Sequence, residues 1–456
     1  MGSADVLDPP GVTPRRSLRD DLRALSRSPR ELWLVFAAST FEYVGVFSFL
    51  VTLALWLTSD FRLNDQRAGW WAATFSSLST LFMFFVGSIA DVLGIRRTLV
   101  LSFGLSAVLR AAMALAPSTA VALPALIGFA FAFAASSPVL QASVHRYSTR
   151  EARAFAFSLW YVSFNVGGVI SGVVVDAVRT PFLDPLAHKL VTRIVTLPLL
   201  GPTTMSAYRA IMGLGTLSAG VAFVVTLLLR SRVEREWSEG EGVRGAAPGN
   251  ALNVLVAVAR DKAFWRFLLL LALLSLVKMM FQHMHFTWPK YVTRELGDDF
   301  PWGKLWGLNS LLILGLAPLA TLLTRNRPVF EVLLIGAFIS AASPFVLCFG
   351  SSYPFQLAMV LVLTVGEALW SPRSYEYTIA IAPPGRESTY ASLAALPFFL
   401  AKFLVGPASG YLLAAFCPAI GPRRPAILWA VIGVTTMIGP VGIFALRRVI
   451  QGRKPS

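Results

Sequence analysis

Five ionisable side chains lie inside long apolar stretches of this sequence and could do chemistry there. Two are carboxylates, Glu42 and Glu367, and three are cations, Arg110, Lys278 and Lys402. An ionised group near the middle of a lipid bilayer costs about 3 kcal/mol or more, so each needs a partner or a water-filled cavity. A carboxylate in such a place can take up and release a proton or bind a charged solute. Glu42 and Glu367 are therefore the candidate proton-coupling groups.

A static role is the alternative for both carboxylates. In that interpretation each forms a buried ion pair that fixes the packing of two helices and moves no proton. Lys278 or Lys402 could neutralise Glu367. Arg110 could be structural, or it could extend its guanidinium toward the bilayer surface. The sequence leaves both interpretations open.

The elements that must position these groups are membrane-spanning helices. The chain has 456 residues, of which 55% are hydrophobic and 14% are charged, whereas a soluble domain carries about 25% charged residues. Its long apolar runs are continuous rather than alternating, which favours helices over a β-barrel. We predict an all-α membrane protein with twelve transmembrane helices in two pseudo-symmetric six-helix halves. The predicted spans are 32–58, 68–90, 98–115, 120–144, 154–178, 207–229, 264–288, 305–323, 329–349, 355–380, 389–416 and 426–446.

The positive charges predict the orientation. About 25 of the 40 Lys and Arg residues fall in segments on one side of the spans, and cytoplasmic segments collect these residues. Both termini are therefore expected in the cytoplasm, with the helices in the plasma (inner) membrane. The net charge of +16 follows from the same bias, so it predicts contact with anionic lipid and not with nucleic acid. The predicted parts are a cytoplasmic tail (1–31), a first half (32–229), a cytoplasmic linker (230–262), a second half (263–446) and a cytoplasmic tail (447–456).

Short motifs recur at matching positions in the two halves. Their spacings agree to within a few residues, which predicts that the halves are related by an internal repeat. The matched pairs are Ser137-Pro138 with Ser371-Pro372, Arg150-Glu151 with Arg386-Glu387, and Ser171-Gly172 with Ser409-Gly410.

Polar side chains also recur at helical spacing and mark faces that cannot point comfortably at lipid. Such faces line a cavity or pack one helix against another. We expect a substrate cavity between helices one, four, seven and ten. No metal site and no cofactor are expected, because His283 and His285 have no third ligand nearby. The candidate cavity residues on these grounds are Gln141, Tyr161, Asn165, Lys278, Gln282, Ser371 and Lys402.

A short motif separates the second and third predicted spans. It consists of Gly87, Asp91, Gly94, Arg96 and Arg97, in which the glycines allow close approach and a tight turn and the arginines mark the cytoplasmic surface. The motif resembles the loop between the second and third helices of major facilitator superfamily transporters. The resemblance implies twelve helices in two halves, a central site that opens alternately to either side, and a gating role for this loop.

Three further stretches resemble the proton-dependent oligopeptide transporter family. They are Trp160–Gly168 in the fifth span, Gly366–Pro372 in the tenth and Ser137-Pro138 in the fourth. The resemblance implies that Glu367 is the family's carboxylate of helix ten. It also implies that Tyr161, Asn165 and Trp370 line or support the cavity.

The sequence departs from that family in its charged residues. Helix one keeps Glu42 but lacks the family's second glutamate and its arginine, and Ser137 stands where the family usually has lysine. The family uses these charges to couple protons and to hold peptide termini. The resemblance is therefore to a divergent member whose substrate can be something other than a peptide.

Taken together, these features predict a secondary active transporter that moves a small solute by alternating access, coupled to protons. Peptides or peptide-like compounds are one expected substrate class. The alternatives are a drug or metabolite efflux antiporter of the same superfamily and a non-transporting membrane sensor. An enzyme is not expected, because the four histidines form no convincing set with acids or cysteines. We expect a monomer, and the sequence leaves open whether Cys348 and Cys417 are linked.

Overall fold

Twelve long helices account for most of the computed structural model, which describes residues 23–149, 152–197, 201–230, 262–381 and 387–451. Within those ranges the helix count matches the predicted twelve. The helices are α1 (Arg30–Ser59), α2 (Asp65–Leu93), α3 (Ile95–Leu115), α4 (Thr119–Tyr147), α5 (Arg153–Arg179), α6 (Ala207–Leu227), α7 (Lys262–Phe286), α8 (Trp302–Leu323), α9 (Val329–Val346), α10 (Tyr353–Ile381), α11 (Glu387–Phe416) and α12 (Pro425–Ala445).

Length and apolar composition make these helices membrane spans. Ten of them carry a stretch long and apolar enough to cross a bilayer. The other two, α2 and α11, include stretches whose side chains the structure does not describe, and the shorter segment Ala401–Phe416 of α11 is itself apolar. A lipid-facing chain must satisfy its backbone hydrogen bonds internally, which continuous helices do.

The two halves repeat the same helix packing. In the first half α3 packs against α4 and α6, and α1 packs against α5 and α6; in the second half α9 packs against α10 and α12, and α7 packs against α11 and α12. The halves meet where α5 contacts α8 and where α2 contacts α11. This arrangement confirms the prediction of two pseudo-symmetric six-helix halves.

The recurring serines of the sequence make equivalent contacts in the two halves. The hydroxyl of Ser171 on α5 lies 3.0 Å from that of Ser48 on α1. The hydroxyl of Ser409 on α11 accepts a hydrogen bond at 2.8 Å from Thr287, which directly follows α7. Each serine thus ties the fifth helix of its half to the first.

One part of the fold was not predicted. The segment between α5 and α6 lies at the end of the helices that is expected to face away from the cytoplasm; that end is called the outer end below, and the opposite one the inner end. The segment contains a short 3-10 helix (Thr180–Phe182) and an antiparallel hairpin of β1 (Arg193–Leu197) and β2 (Gly201–Met205), in which Arg193 pairs with Met205. β-branched residues such as Ile194 and Val195 favour an extended backbone once the chain has left the membrane. The sequence analysis predicts no element between its fifth and sixth spans.

Several predicted boundaries change or fall outside the described residues. The seventh predicted span runs past the observed end of α7 at Phe286, and a separate short helix, Trp288–Leu296, follows. A further short helix, Arg447–Gln451, lies in the predicted C-terminal tail. Most of the predicted N-terminal tail and almost all of the predicted linker lie outside the described residues. Cys348 and Cys417 are separate thiols.

Candidate functional site

A cavity of about 850 Å³ lies between the two halves, formed by α5, α8 and α10. Of the four helices between which the substrate cavity is predicted, one, α10, contributes to the lining of this cavity. Two predicted cavity residues, Tyr161 and Ser371, line it. Its wall is mainly apolar and extends to Arg325, two residues beyond the inner end of α8. The lining residues are Phe157, Ser158, Tyr161, Val162, Ile313, Leu314, Ala317, Pro318, Thr321, Leu322, Arg325, Ser371 and Pro372.

The outer end of the contact between α5 and α8 is closed by glycines. A Cβ atom at Gly172 would lie 2.8 Å from the Cα of Gly307 and would also meet the carbonyl oxygen of Gly303. Such distances leave no room for any side chain, so the two backbones touch directly. Asp176 reinforces the contact, because its carboxylate accepts hydrogen bonds from the backbone amides of Gly303 at 3.0 Å and Lys304 at 2.7 Å.

The second contact between the halves, α2 with α11, is closed in the same way. A Cβ atom at Gly410 would lie 2.8 Å from the Cα of Gln66. Next to it, Asp65 binds Lys290 at 2.5 Å and Arg294 at 2.7 Å, both from the short helix that follows α7. Burial lowers the pKa of Lys290 to about 8, although Asp65 opposes that change.

Aromatic rings fill the space between the cavity and the glycine contacts. The ring of Phe47 on α1 lies 4.9 Å from that of Phe164 on α5 and 5.3 Å from that of Trp306 on α8. The imidazole of His285 on α7 lies 5.7 Å from the same Trp306 ring. These contacts close the helices against each other at the end called outer, and the cavity lies on the inner side of this closure.

Glu367 lies on α10 one helical turn before the cavity residue Ser371. One of its carboxylate oxygens accepts a hydrogen bond at 2.9 Å from the amide of Asn309 on α8. The same amide donates to Thr364 at 3.0 Å. Lys278 on α7 is close enough to attract the carboxylate electrostatically, and its Nζ lies 5.7 Å from the centre of the Trp370 ring.

Lys402 shares a face of α11 with Gly406 and Gly410, one turn further from the outer end. Because Gly406 and Gly410 contact α2 of the first half, Lys402 faces the interface between the halves. Its ammonium group is in electrostatic range of Lys278 and His285. Among the described residues no carboxylate lies within salt-bridge distance of Lys402.

The other carboxylate, Glu42, lies elsewhere. It is 1% exposed and forms an ion pair at 3.1 Å with Arg110 on α3, whose guanidinium also donates to the carbonyl of Gly215 on α6 at 3.0 Å. The guanidinium carbon lies 4.5 Å from the centre of the Phe129 ring. Gly45 makes room for this arginine, since a Cβ there would approach the guanidinium carbon to 3.2 Å. Glu42 and Arg110 thus pair within the first half.

The remaining predicted cavity residues differ in how far their side chains are exposed. Gln141 on α4 is exposed, and Gln282 on α7 is half-buried. Asn165 is buried, and its amide donates to the carbonyl of Tyr161 in its own helix at 2.9 Å. Trp370 is also buried, and its indole N–H donates to Ser340 on α9 at 3.0 Å. This hydrogen bond holds α10 against α9.

The predicted gating motif is only partly described. Gly87 and Asp91 lie in a stretch of α2 whose side chains the structure does not describe. Gly94 has a φ of 82°, a value that favours glycine, and it forms the turn between α2 and α3. Arg96 donates to the carbonyl of Leu227 at the end of α6 at 3.2 Å, and Arg97 is exposed beside it.

Two residues of the site were not singled out from the sequence. Asn309 is one polar residue in an apolar span, and nothing along the chain relates it to Glu367. Asp176 is three residues before Arg179, with which it pairs at 2.9 Å, and this spacing was an available signal.

Comparison with known proteins gives a consistent result. The sequence profile of the Major Facilitator Superfamily matches residues 35–406. The chain is 24% identical over 433 residues to the Uncharacterized MFS-type transporter YqjV of Bacillus subtilis (strain 168). The aligned residues make up 91% of this chain and 94% of that protein.

Solved structures with a similar fold include POT family transporters. One is a POT family transporter in complex with 5-aminolevulinic acid, with a TM-score of 0.70 and 14% identity, covering 92% of this chain and 97% of that one. Another is the peptide transporter POT in complex with sulfate, with a TM-score of 0.70 and 15% identity, covering 94% of this chain and 98% of that one. At this identity the likeness concerns the fold.

Proposed function

Because the chain belongs to the major facilitator superfamily, it is an integral membrane secondary transporter and not an enzyme, and we propose that Glu367 couples it to protons. In this proposal a small solute occupies the cavity between α5, α8 and α10 while the outer end is closed. The halves then rock about the site, so that the cavity faces one side of the membrane at a time.

The position of Glu367 is the observation that supports the proposal. The carboxylate lies one helical turn before the cavity residue Ser371, accepts a hydrogen bond from the amide of Asn309 and is in electrostatic range of Lys278. A dry environment favours a protonated carboxyl, whereas water or a nearby cation favours the carboxylate. Alternating exposure would therefore load a proton on one side of the membrane and release it on the other.

Glu42 is the second candidate for proton coupling. Its ion pair with Arg110 supports the static alternative, because the guanidinium already neutralises the carboxylate. We propose that Glu42 stabilises the first half.

The test compares Glu367→Gln with the parent protein in proteoliposomes under an imposed pH gradient. Radiolabelled 5-aminolevulinic acid is the first probe, because it is bound in one of the similar structures. If it is not accumulated, a thermal-stability screen against peptides, nucleosides, sugars and drugs supplies the probe. We expect the variant to lose gradient-driven accumulation and to retain exchange of the probe between the two sides.

The control is Glu331→Gln, which changes an exposed carboxylate in the first turn of α9. It is expected to leave accumulation unchanged. Full accumulation by the Glu367→Gln variant would contradict the coupling role.

Substrate and direction are part of the proposal. Peptide-like compounds are the first class to test, since similar structures are named as peptide transporters. The mainly apolar cavity wall favours the second candidate, a drug or metabolite efflux antiporter. Uptake into inverted membrane vesicles separates the two, because only an exporter accumulates its substrate there.

We further propose a monomer in the plasma (inner) membrane with cytoplasmic termini.

A further inference from the structure

The charged groups around the interface between the halves do not balance. On the inner side of the closure the described residues include the cations Lys278, Lys402, Arg325 and Arg373 and the carboxylate Glu367. The carboxylate Glu42 is neutralised within the first half, and Asp176 and Asp65 belong to the outer contacts. Among the described residues, cations therefore outnumber carboxylates on the inner side of the closure.

Lys402 is a cation to which the described residues offer no counter-charge. Glu367 is already engaged by Asn309 and attracted by Lys278, and the described residues offer Lys402 no carboxylate. Two lysines in mutual electrostatic range repel each other inside a protein, where charge is poorly screened. An anion entering from water would relieve that repulsion and would gain a charge-assisted hydrogen bond.

The side chains that line the cavity indicate the chemistry of the ligand beyond its negative group. Most of its lining side chains are apolar, including Phe157, Val162, Ile313 and Leu314, and Tyr161 offers a ring face. A volume of about 850 Å³ is in the range of pockets that hold drug-sized molecules.

Resting on the transport function proposed above, we propose that the substrate is an amphipathic organic anion. Its negative group binds Lys402, and its apolar body occupies the cavity between α5, α8 and α10. Glu367 does not bind the anion and carries the proton instead. One anion and one proton then cross the membrane together without net charge.

The test uses three probes that share one apolar body. They are 4-(naphthalen-1-yl)butanoate, the corresponding primary amide and the corresponding primary amine, each titrated against the purified full-length chain by isothermal calorimetry. We expect the carboxylate to bind at least about tenfold more tightly than the amide or the amine, because only it makes a charge-assisted bond to Lys402. Lys402→Gln should remove that preference, and Lys402→Arg should keep most of it.

Two further arms separate this inference from the proposed coupling role. Glu367→Gln should bind the carboxylate as tightly as the parent or more tightly, since it removes a negative charge, even where gradient-driven uptake is lost. Sodium chloride and sodium acetate are titrated as controls for a bound inorganic or small ion. Tighter binding of the amine, equal binding of all three probes, binding unaffected by Lys402→Gln, or chloride alone reproducing the effect would overturn the proposal.

Discussion

Among the described residues of the first half, the ion pair between Glu42 and Arg110 is the most deeply buried charged contact. Arg110 satisfies Glu42, the carbonyl of Gly215 and the ring of Phe129 at once. Both residues stood out in the sequence as ionisable groups inside apolar runs. Their pairing could not be predicted, because they lie on different helices and a distance along the chain says nothing about contact between α1 and α3.

We predict that Arg110→Leu alone destabilises the protein by about 3–5 kcal/mol, because it leaves a buried carboxylate without a partner. The double variant Glu42→Leu with Arg110→Leu should recover most of this loss, since two apolar side chains replace the pair. Thermal unfolding in detergent measures both variants. Arg327→Leu, at an exposed position, is the control and should change stability by less than about 0.5 kcal/mol.

Uptake by the double variant decides between the two roles of Glu42. A static pair requires that the folded double variant still accumulates its substrate when a pH gradient is applied. Loss of accumulation in a stable double variant would instead make Glu42 a coupling residue.

At the scale of the helices, the sequence predicts the spans well and their contacts poorly. The spans follow from one strong constraint, since lipid leaves only long apolar helices as a stable solution. The hairpin of β1 and β2 is outside that constraint and was missed. The close approaches at Gly172 and Gly410 depend on which helices face each other, which the sequence signalled only through the recurrence of Ser171-Gly172 and Ser409-Gly410.

The glycine contacts predict that the outer end can be forced open. Gly172→Val places a side chain where the backbone of Gly307 and the carbonyl of Gly303 already lie, so α5 and α8 must separate. We expect a cysteine at Ser310, which is 7% exposed, to react several-fold faster with a membrane-impermeant thiol reagent from outside. Cys348 and Cys417 are replaced by serine in all samples.

Gly220→Val is the matched control for that variant. Gly220 lies in α6, and a Cβ there would meet no atom within 4 Å, so the labelling rate of the cysteine at position 310 should not change. An unchanged rate in Gly172→Val, with the protein still folded, would show that this contact does not hold the outer end closed.

At the scale of the whole molecule, the outer segment between α5 and α6 belongs to the first half but contacts the second. Within it, the amide of Leu190 donates to Asp298 at 3.1 Å, and His188 Nδ1 lies 3.2 Å from Asp299 Oδ2. At its start, Arg179 donates to the carbonyl of Asp298 and, at 3.3 Å, to that of Phe300. All three partners lie in the loop that precedes α8 in the second half, so this segment, called the strap below, links the two halves. We expect these contacts to break before the outer end opens.

The contacts of the strap predict that transport stops when the strap is cross-linked covalently to the second half. With cysteines at His188 and Asp299 and with Cys348 and Cys417 replaced by serine, a short bifunctional thiol-cleavable reagent should abolish uptake, and reduction should restore it. Binding from the inner side should persist, because the cavity lies inside the closure. The control places the two cysteines at Ile194 and Thr204, which pair across β1 and β2 in the same half, and its cross-link should leave uptake intact. Uptake that continues with positions 188 and 299 fully cross-linked would mean that the halves separate elsewhere, because a rigid link across the outer interface cannot coexist with its opening.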